Sequence, residues 1–133
     1  MTVIDLPIHV EENGLLVVAE GSVDPIFSIA RVFMVRAQIN DVRGKHSHKL
    51  CSQLLICFTG KIQINCTDGE VEREFLLNKP NSGLLVPPGI WSEQKYLTEN
   101  AVLIVLCDRV YEETDYIREY SRFLDFRKGK SLE

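Results

Sequence analysis

Short apolar runs recur along this chain, with turn residues between them. Residues 61–66, KIQINC, alternate strictly. Ile62, Ile64 and Cys66 fall on one side, and Lys61, Gln63 and Asn65 on the other. A period of two predicts a half-buried strand. Asp68-Gly69 follows, a pair that tolerates the positive backbone angles of a tight hairpin, and 70–77 predicts the returning strand. Further strands are predicted over 15–21, 29–39 and 53–60. Residues 84–91 read as a short strand broken by Pro87-Pro88-Gly89, and the continuously apolar 101–107 as a strand buried on both faces. Val23-Asp24-Pro25 and 40–44 read as turns and 78–83 as a loop.

The chain ends differently. Ile117, Tyr120 and Leu124 stand at helical spacing with Thr114 in the N-cap position, so a helix is predicted over 114–126. Glu112, Glu113 and Asp115 then read as first-turn helix charge. Many short strands, with turns about every ten residues, predict an all-β antiparallel sandwich or barrel. The jelly-roll form, a cupin β-barrel with a short C-terminal helix, fits best, and its mouth is a natural small-molecule pocket. The 133 residues suit one domain, 1–133. The closing Ser131-Leu132-Glu133 is expected to be an expression scar rather than part of the fold.

Composition narrows the function classes. Hydrophobic residues make up 45%, enough for a core. A net charge of −4, with no basic stripe interleaved with aromatics, argues against nucleic-acid binding. No segment approaches the roughly 18 apolar residues of a membrane helix. The opening MTVIDLPIHVEENG lacks the basic and apolar regions of a secretory signal, so the cytoplasm is the expected location. None of the four cysteines sits in a CxxC pair. Cys57, Cys66 and Cys107 are expected to behave as small buried hydrophobes, and Cys51, close to two histidines, is a candidate thiolate nucleophile.

Those two histidines carry most of the candidate chemistry. His46 and His48 lie one residue apart in KHSHKL, in what reads as extended chain, so their side chains project together. Metal-binding cupins carry HxH, a glutamate four or five residues later, a glycine after six more, then PxG with a histidine three residues beyond. Here the glutamate position holds Gln53, Gly60 follows, Pro87-Pro88-Gly89 supplies PxG, and the last position holds Ser92. A metal site would keep two imidazoles and lose the carboxylate and the third imidazole, so no metal is expected. Without a metal, two imidazoles still suit proton transfer next to a carbonyl through an enediol. The bland alternative is two solvated histidines on a strand edge.

The wider pattern bears on that choice. RGKHSHKLCSQ (43–53), FTGKIQINCTDG (58–69), GLLVPPGIW (83–91) and VYEETDYIREYSRFL (110–124) resemble the nucleotide-sugar 3,4-ketoisomerases. These are small cupins acting on dTDP-4-keto-6-deoxyglucose. The resemblance runs from about residue 12 to residue 126, and its most specific parts are the R-G-x-H-x-H…Q core and the D-Y-I-R-x-Y tail. It implies an enzyme with no metal and no redox cofactor, moving the ketone from C4 to C3 of a dTDP-linked 4-keto-6-deoxyhexose. His46 would be the base at C3 and His48 its partner. It also implies a homodimer with exchanged N-terminal strands, and products that feed dideoxy-aminosugar synthesis for surface polysaccharide or glycosylated antibiotics. Three positions depart from the pattern: Ser47 stands between the histidines where an alanine is usual, Phe33 where a tyrosine is usual, and Val42 where a second basic residue is usual.

Other side chains complete the candidate site. Arg31 and Arg43 offer planar paired donors for a diphosphate. Gln53 could bond a sugar hydroxyl from the barrel floor, Trp91 could line the pocket, and Phe33 occupies a substrate-facing position. Lys45 and Lys49 flank the histidines as solvated strand residues, and Tyr111, Tyr116 and Tyr120 read as packing residues. The alternative functions are an epimerase of a 4-keto nucleotide sugar and a non-catalytic cupin that binds a sugar nucleotide. A metal-dependent dioxygenase would require a metal in the purified protein.

Overall fold

A computed structural model describes residues 1–20, 22–24 and 27–129. Fourteen strands are present among them. In chain order they are β1 (Thr2–Asp5), β2 (Ile8–Glu11), β3 (Gly14–Val17), β4 (Ser22–Asp24), β5 (Phe27–Ser28), β6 (Arg31–Arg36) and β7 (Val42–His48). They continue with β8 (Gln53–Thr59), β9 (Ile62–Thr67), β10 (Glu72–Leu77), β11 (Ser82–Val86), β12 (Trp91–Tyr96), β13 (Val102–Cys107) and β14 (Tyr116–Ile117). A 3₁₀ turn (Glu113–Asp115) precedes β14, and α1 (Tyr120–Arg127) closes the described chain.

Two five-stranded antiparallel sheets form the barrel, in the orders β1-β11-β8-β13-β6 and β10-β9-β12-β7-β14. The all-β fold with one short helix is as the pattern predicts. Between the sheets lies one apolar cluster that includes Leu55, Cys57, Ile62, Ile64, Leu103 and Val105. The strict alternation of 62–66 places Ile62, Ile64 and Cys66 in this core. Leu54, Ile56 and Leu106 point to the other side of the first sheet, where Leu6 and Phe27 cover them. Under α1, Trp91, Ile117 and Phe123 form a third cluster. All four cysteines are free and buried.

Several elements differ from the sequence expectation. The Asp68-Gly69 hairpin exists, but its link is longer than two residues. The Asp68 carboxylate accepts from the backbone N–H of Glu70 and of Val71, and β10 starts only at Glu72. β12 was not expected as a full strand. Its residues on the side that faces β7's histidines are Ser92, Gln94 and Tyr96, so a hydrophobic alternation is missing. The helix does not begin at Thr114. Tyr116 and Ile117 instead pair with His48 and Ser47, completing the backbone ladder of β7 along its outer edge, and α1 starts at Tyr120. Val23 and Asp24 belong to β4, while Pro25 and the closing Ser131-Leu132-Glu133 lie outside the described residues.

The segment read as a turn over 40–44 is in part the start of β7, and its irregularity decides where the histidines face. Val42, Arg43 and Gly44 pair with Lys95, Gln94 and Glu93, after which the register slips and His46 pairs with Ser92. Lys45 is the extra residue, with φ of 54° beside Gly44 at 86°. This is a β-bulge, and in an unbulged strand His46 would stand opposite Trp91, on the other face of the sheet. One additional residue therefore turns both imidazoles toward the first sheet.

Candidate active site

Across the first sheet, Gln53, Cys107 and Arg31 form one row on three neighbouring strands. On the second sheet, Tyr116 stands directly opposite His48. The two rows meet where Arg31 Nη1 donates to the Tyr116 hydroxyl at 3.1 Å. The Tyr116 ring lies 4.3 Å from that of His48 and 5.2 Å from that of His46, centroid to centroid. The two imidazoles are 5.0 Å apart and nearly perpendicular. Arg31 also sits over the Phe33 ring at 4.6 Å and over the Tyr111 ring at 5.0 Å. Arg118 covers the Tyr116 ring at 4.3 Å and is itself held by Glu113 through two hydrogen bonds.

Hydrogen bonds assign the tautomers. His46 Nδ1 is 3.0 Å from the Gly44 carbonyl oxygen, which can only accept, so Nδ1 carries the proton. His48 Nδ1 is 2.9 Å from Asp115 Oδ2 and carries its proton for the same reason. Both Nε2 atoms are buried and have no hydrogen-bond partner among the described residues. Burial, and then the neighbouring His48, lower the His46 pKa to about 4. Burial also lowers that of His48, against the opposing pull of Asp115. Two neutral imidazoles thus present bare nitrogen lone pairs side by side, which is a pair of bases rather than two solvated side chains.

Of the residues singled out in the sequence, Arg31, Phe33, His46 and His48 are brought together. Gln53 is buried two strands in from Arg31, its amide reaching Cys107 Sγ at 3.5 Å. Arg43 is not at the imidazoles. It is exposed, lies before the bulge, and lines a separate groove with Arg36, Asp41 and Glu99. Trp91 is on the opposite face of β12 from Ser92. Its indole N–H donates to Glu93, and its ring packs on Tyr120 and Phe123, so it anchors α1. The Cys51 thiol is no nucleophile: its hydrogen bond with Cys107, and then burial, push its pKa up.

Asp115 and Tyr116 were missed as site residues. Asp115 is not helix charge but a buried carboxylate, and Tyr116 is not a packing residue alone. The signal was present in the D-Y-I-R-x-Y tail, which spacing alone cannot connect to histidines about seventy positions earlier. His48, Cys51 and Asp115 also form a group whose ligand atoms lie within 4.8 Å of one another. This set does not fit a metal. The Asp115 oxygens already accept from His48 Nδ1, Leu50 N–H and Cys51 N–H, and the Cys51 thiol stays protonated.

A barrel of this topology, with paired imidazoles at one end of the space between its sheets, defines a small-molecule cupin of the isomerase kind. The comparisons agree. Residues 1–128 match the family model described as FdtA: WxcM-like, C-terminal. A TDP-4-oxo-6-deoxy-alpha-D-glucose-3,4-oxoisomerase from Aneurinibacillus thermoaerophilus is 34% identical over 125 residues, covering 93% of this chain and 90% of the relative. A sugar 3,4-ketoisomerase from Thermoanaerobacterium thermosaccharolyticum, solved with TDP, superposes with a TM-score of 0.91 at 36% identity, over 96% of this chain and 94% of the other. A 3,4-ketoisomerase from Helicobacter canadensis gives 0.89 at 30% identity, over 96% of each chain. The chain belongs to the FdtA family and is an isomerase. Among the described residues, no helix is long and apolar enough to cross a membrane.

Proposed function

We propose that this chain converts a TDP-linked 4-keto-6-deoxyglucose to the 3-keto-6-deoxyhexose by histidine acid/base catalysis through an enediol. The observation that carries the reading is the pair of neutral imidazoles with unpartnered Nε2 atoms, 5.0 Å apart between centroids. The ketoisomerase relatives support the substrate class, and a His→Asn variant of the Thermoanaerobacterium enzyme has been solved in complex with TDP-4-keto-6-deoxyglucose.

The isomerisation removes hydrogen from C3 and O3 and adds it to C4 and O4. His46 Nε2 takes the C3 proton while the C4 carbonyl becomes an enolate. His48 Nε2 takes the O3 proton and delivers it to O4. His46 then returns its proton to C4 as O3 becomes the new carbonyl, and both imidazoles end neutral. Arg31 is the guanidinium beside the imidazoles and would hold the diphosphate or the sugar oxygens. The Tyr116 phenol, bonded to Arg31, supplies a hydroxyl near the place where Phe33 lacks one.

An NMR time course with TDP-4-keto-6-deoxyglucose in deuterated water tests this. A displaced ketone is expected, with deuterium at C4 in the fraction of turnovers where the proton on His46 exchanges with solvent before its return. An inverted centre with the ketone unmoved would make the enzyme an epimerase, and tight binding with neither product nor exchange would make it a binding cupin. We further propose a cytoplasmic homodimer. Four buried free thiols suit a reducing compartment. β1 is paired with β11 of its own chain, so the β2–β3 hairpin is the N-terminal element available for exchange.

A further inference from the structure

Asp115 is tied to the imidazole row more closely than any other carboxylate among the described residues. Its Oδ2 lies 2.9 Å from His48 Nδ1 and its Oδ1 2.7 Å from the Leu50 N–H. The Cys51 N–H also reaches Oδ2 at 3.3 Å, and the Lys49 N–H donates to the Asp115 main-chain carbonyl at 2.9 Å. Asp115 is 7% exposed and His48 6%. A buried carboxylate with its lone pairs taken up in this way is fixed in orientation, and the donor it faces is fixed with it.

We infer that Asp115 is a positioning residue for the reaction: it holds His48 as the Nδ1–H tautomer, aims the bare Nε2 at the sugar oxygens, and stabilises the imidazolium while the proton is in transit. This rests on the ketoisomerase reading above. It also separates the two histidines. His46 leans on a neutral carbonyl, which fixes its tautomer but offers no countercharge. His48 leans on a carboxylate. The groups facing His48 are Asp115, which favours a proton on it, and His46, Arg31 and Arg118, which oppose one. Asp115 bonds His48 directly, whereas Glu113, the negative group that favours a proton on His46, is engaged with Arg118, so the oxygen-to-oxygen shuttle falls to His48 and the carbon-to-carbon transfer to His46.

A merely structural clamp would predict something else. In that case Asp115 would tie the 49–51 turn to the 3₁₀ segment, and a substituent that kept the backbone bond would keep activity. Asp115→Asn separates the two. Its amide oxygen can still accept from the Leu50 N–H, while its NH₂ faces His48 Nδ1 and drives the ring proton to Nε2. With the TDP-linked substrate, kcat should fall at least ~100-fold, with KM little changed. Long-range ¹H–¹⁵N correlation spectra should show the His48 proton on Nδ1 in the native enzyme and on Nε2 in the variant. Asp115→Glu, which keeps the charge, should restore the native tautomer and part of the rate.

The inference is overturned if native His48 is the Nε2–H tautomer, or if Asp115→Asn retains kcat within about threefold. If the variant does not fold, the native spectrum and Asp115→Glu still decide it. The spectra need no substrate, so failure of the ketoisomerase reading, seen as native enzyme without turnover, is distinguishable from failure of the Asp115 assignment.

Discussion

At the scale of single residues, His46 is in tension with its surroundings. Burial and the nearby His48 bring its pKa to about 4, against 6.5 for a free imidazole. Between those values the unfolded chain binds the proton and the folded chain does not. Stability is therefore full above about pH 6.5, falls as pH drops through the window, and levels off below about pH 4. The ceiling on the loss is ~3 kcal/mol. Urea midpoints at pH 7 and pH 4.5 should show a smaller loss for His46→Gln than for the native protein, and equal losses would sink the assignment. The same depression keeps His46 a free base in mild acid, so kcat/KM should hold at pH 6 and fall by half only near pH 4. Much of this site was legible in the sequence. HxH in extended chain named both imidazoles, and the absence of a glutamate at Gln53 and a histidine at Ser92 argued against a metal ligand set. Asp115 was not legible, because its meaning lies in a contact 67 positions away. Within its own stretch it is one acid among several.

Elements carry the next layer of specification, and the bulge in β7 is the most consequential. A strand pattern predicts that His46 and His48 share a face, but not which face. Gly44 and Lys45, both at positive φ, set that through the extra residue. A Cβ added to Gly44 would stand 3.0 Å from Gln94 Nε2 and 3.1 Å from the Ser92 carbonyl oxygen, with φ of 86°. Gly44→Ala should therefore cost about 1–2 kcal/mol from the backbone alone, and should lower kcat by loosening the His46 register. Deleting Lys45 separates the register from the bulge. His46 would then follow Gly44 directly and, in regular pairing, stand opposite Ser92 on the native face, so turnover should persist together with the circular dichroism of a β-protein. If the deletion variant folds but loses all turnover, register alone does not orient the histidines. The same reasoning explains why β12 and the start of α1 escaped the sequence reading. The side of β12 facing the histidines is polar because it borders the site, and helical spacing at Ile117 was outweighed by strand pairing with Ser47 and by burial beneath α1. Hydrophobic periodicity reports the core well, and is least informative where a fold has been bent to serve chemistry.

On the scale of the whole molecule, the outer surface is left unfinished in a way that favours a second copy. Strand β6 ends the first sheet, and its outward residues Val32 and Met34 are 52% and 67% exposed. The β2–β3 hairpin adds Val10 at 72% and Leu16 at 59%. Scattered exposed apolar side chains are ordinary, but an edge strand with open backbone groups and an exposed apolar hairpin are each a surface that invites pairing. Light scattering on the purified chain should therefore give twice the 15.2 kDa chain mass. Met34→Lys combined with Val10→Glu should shift that mass toward the monomer while leaving the buried core, and so the thermal unfolding enthalpy per chain, largely intact. The consequence for function follows from where β6 lies. Its inward residues Arg31 and Phe33 belong to the imidazole site, and its outward residues to the proposed interface. Separating the subunits should raise KM for the TDP-sugar through a less rigid Arg31, with kcat affected less, because His46 and His48 are held by the second sheet and by Asp115. A native protein that is monomeric at micromolar concentration and fully active would remove the interface, and with it this coupling between assembly and substrate binding.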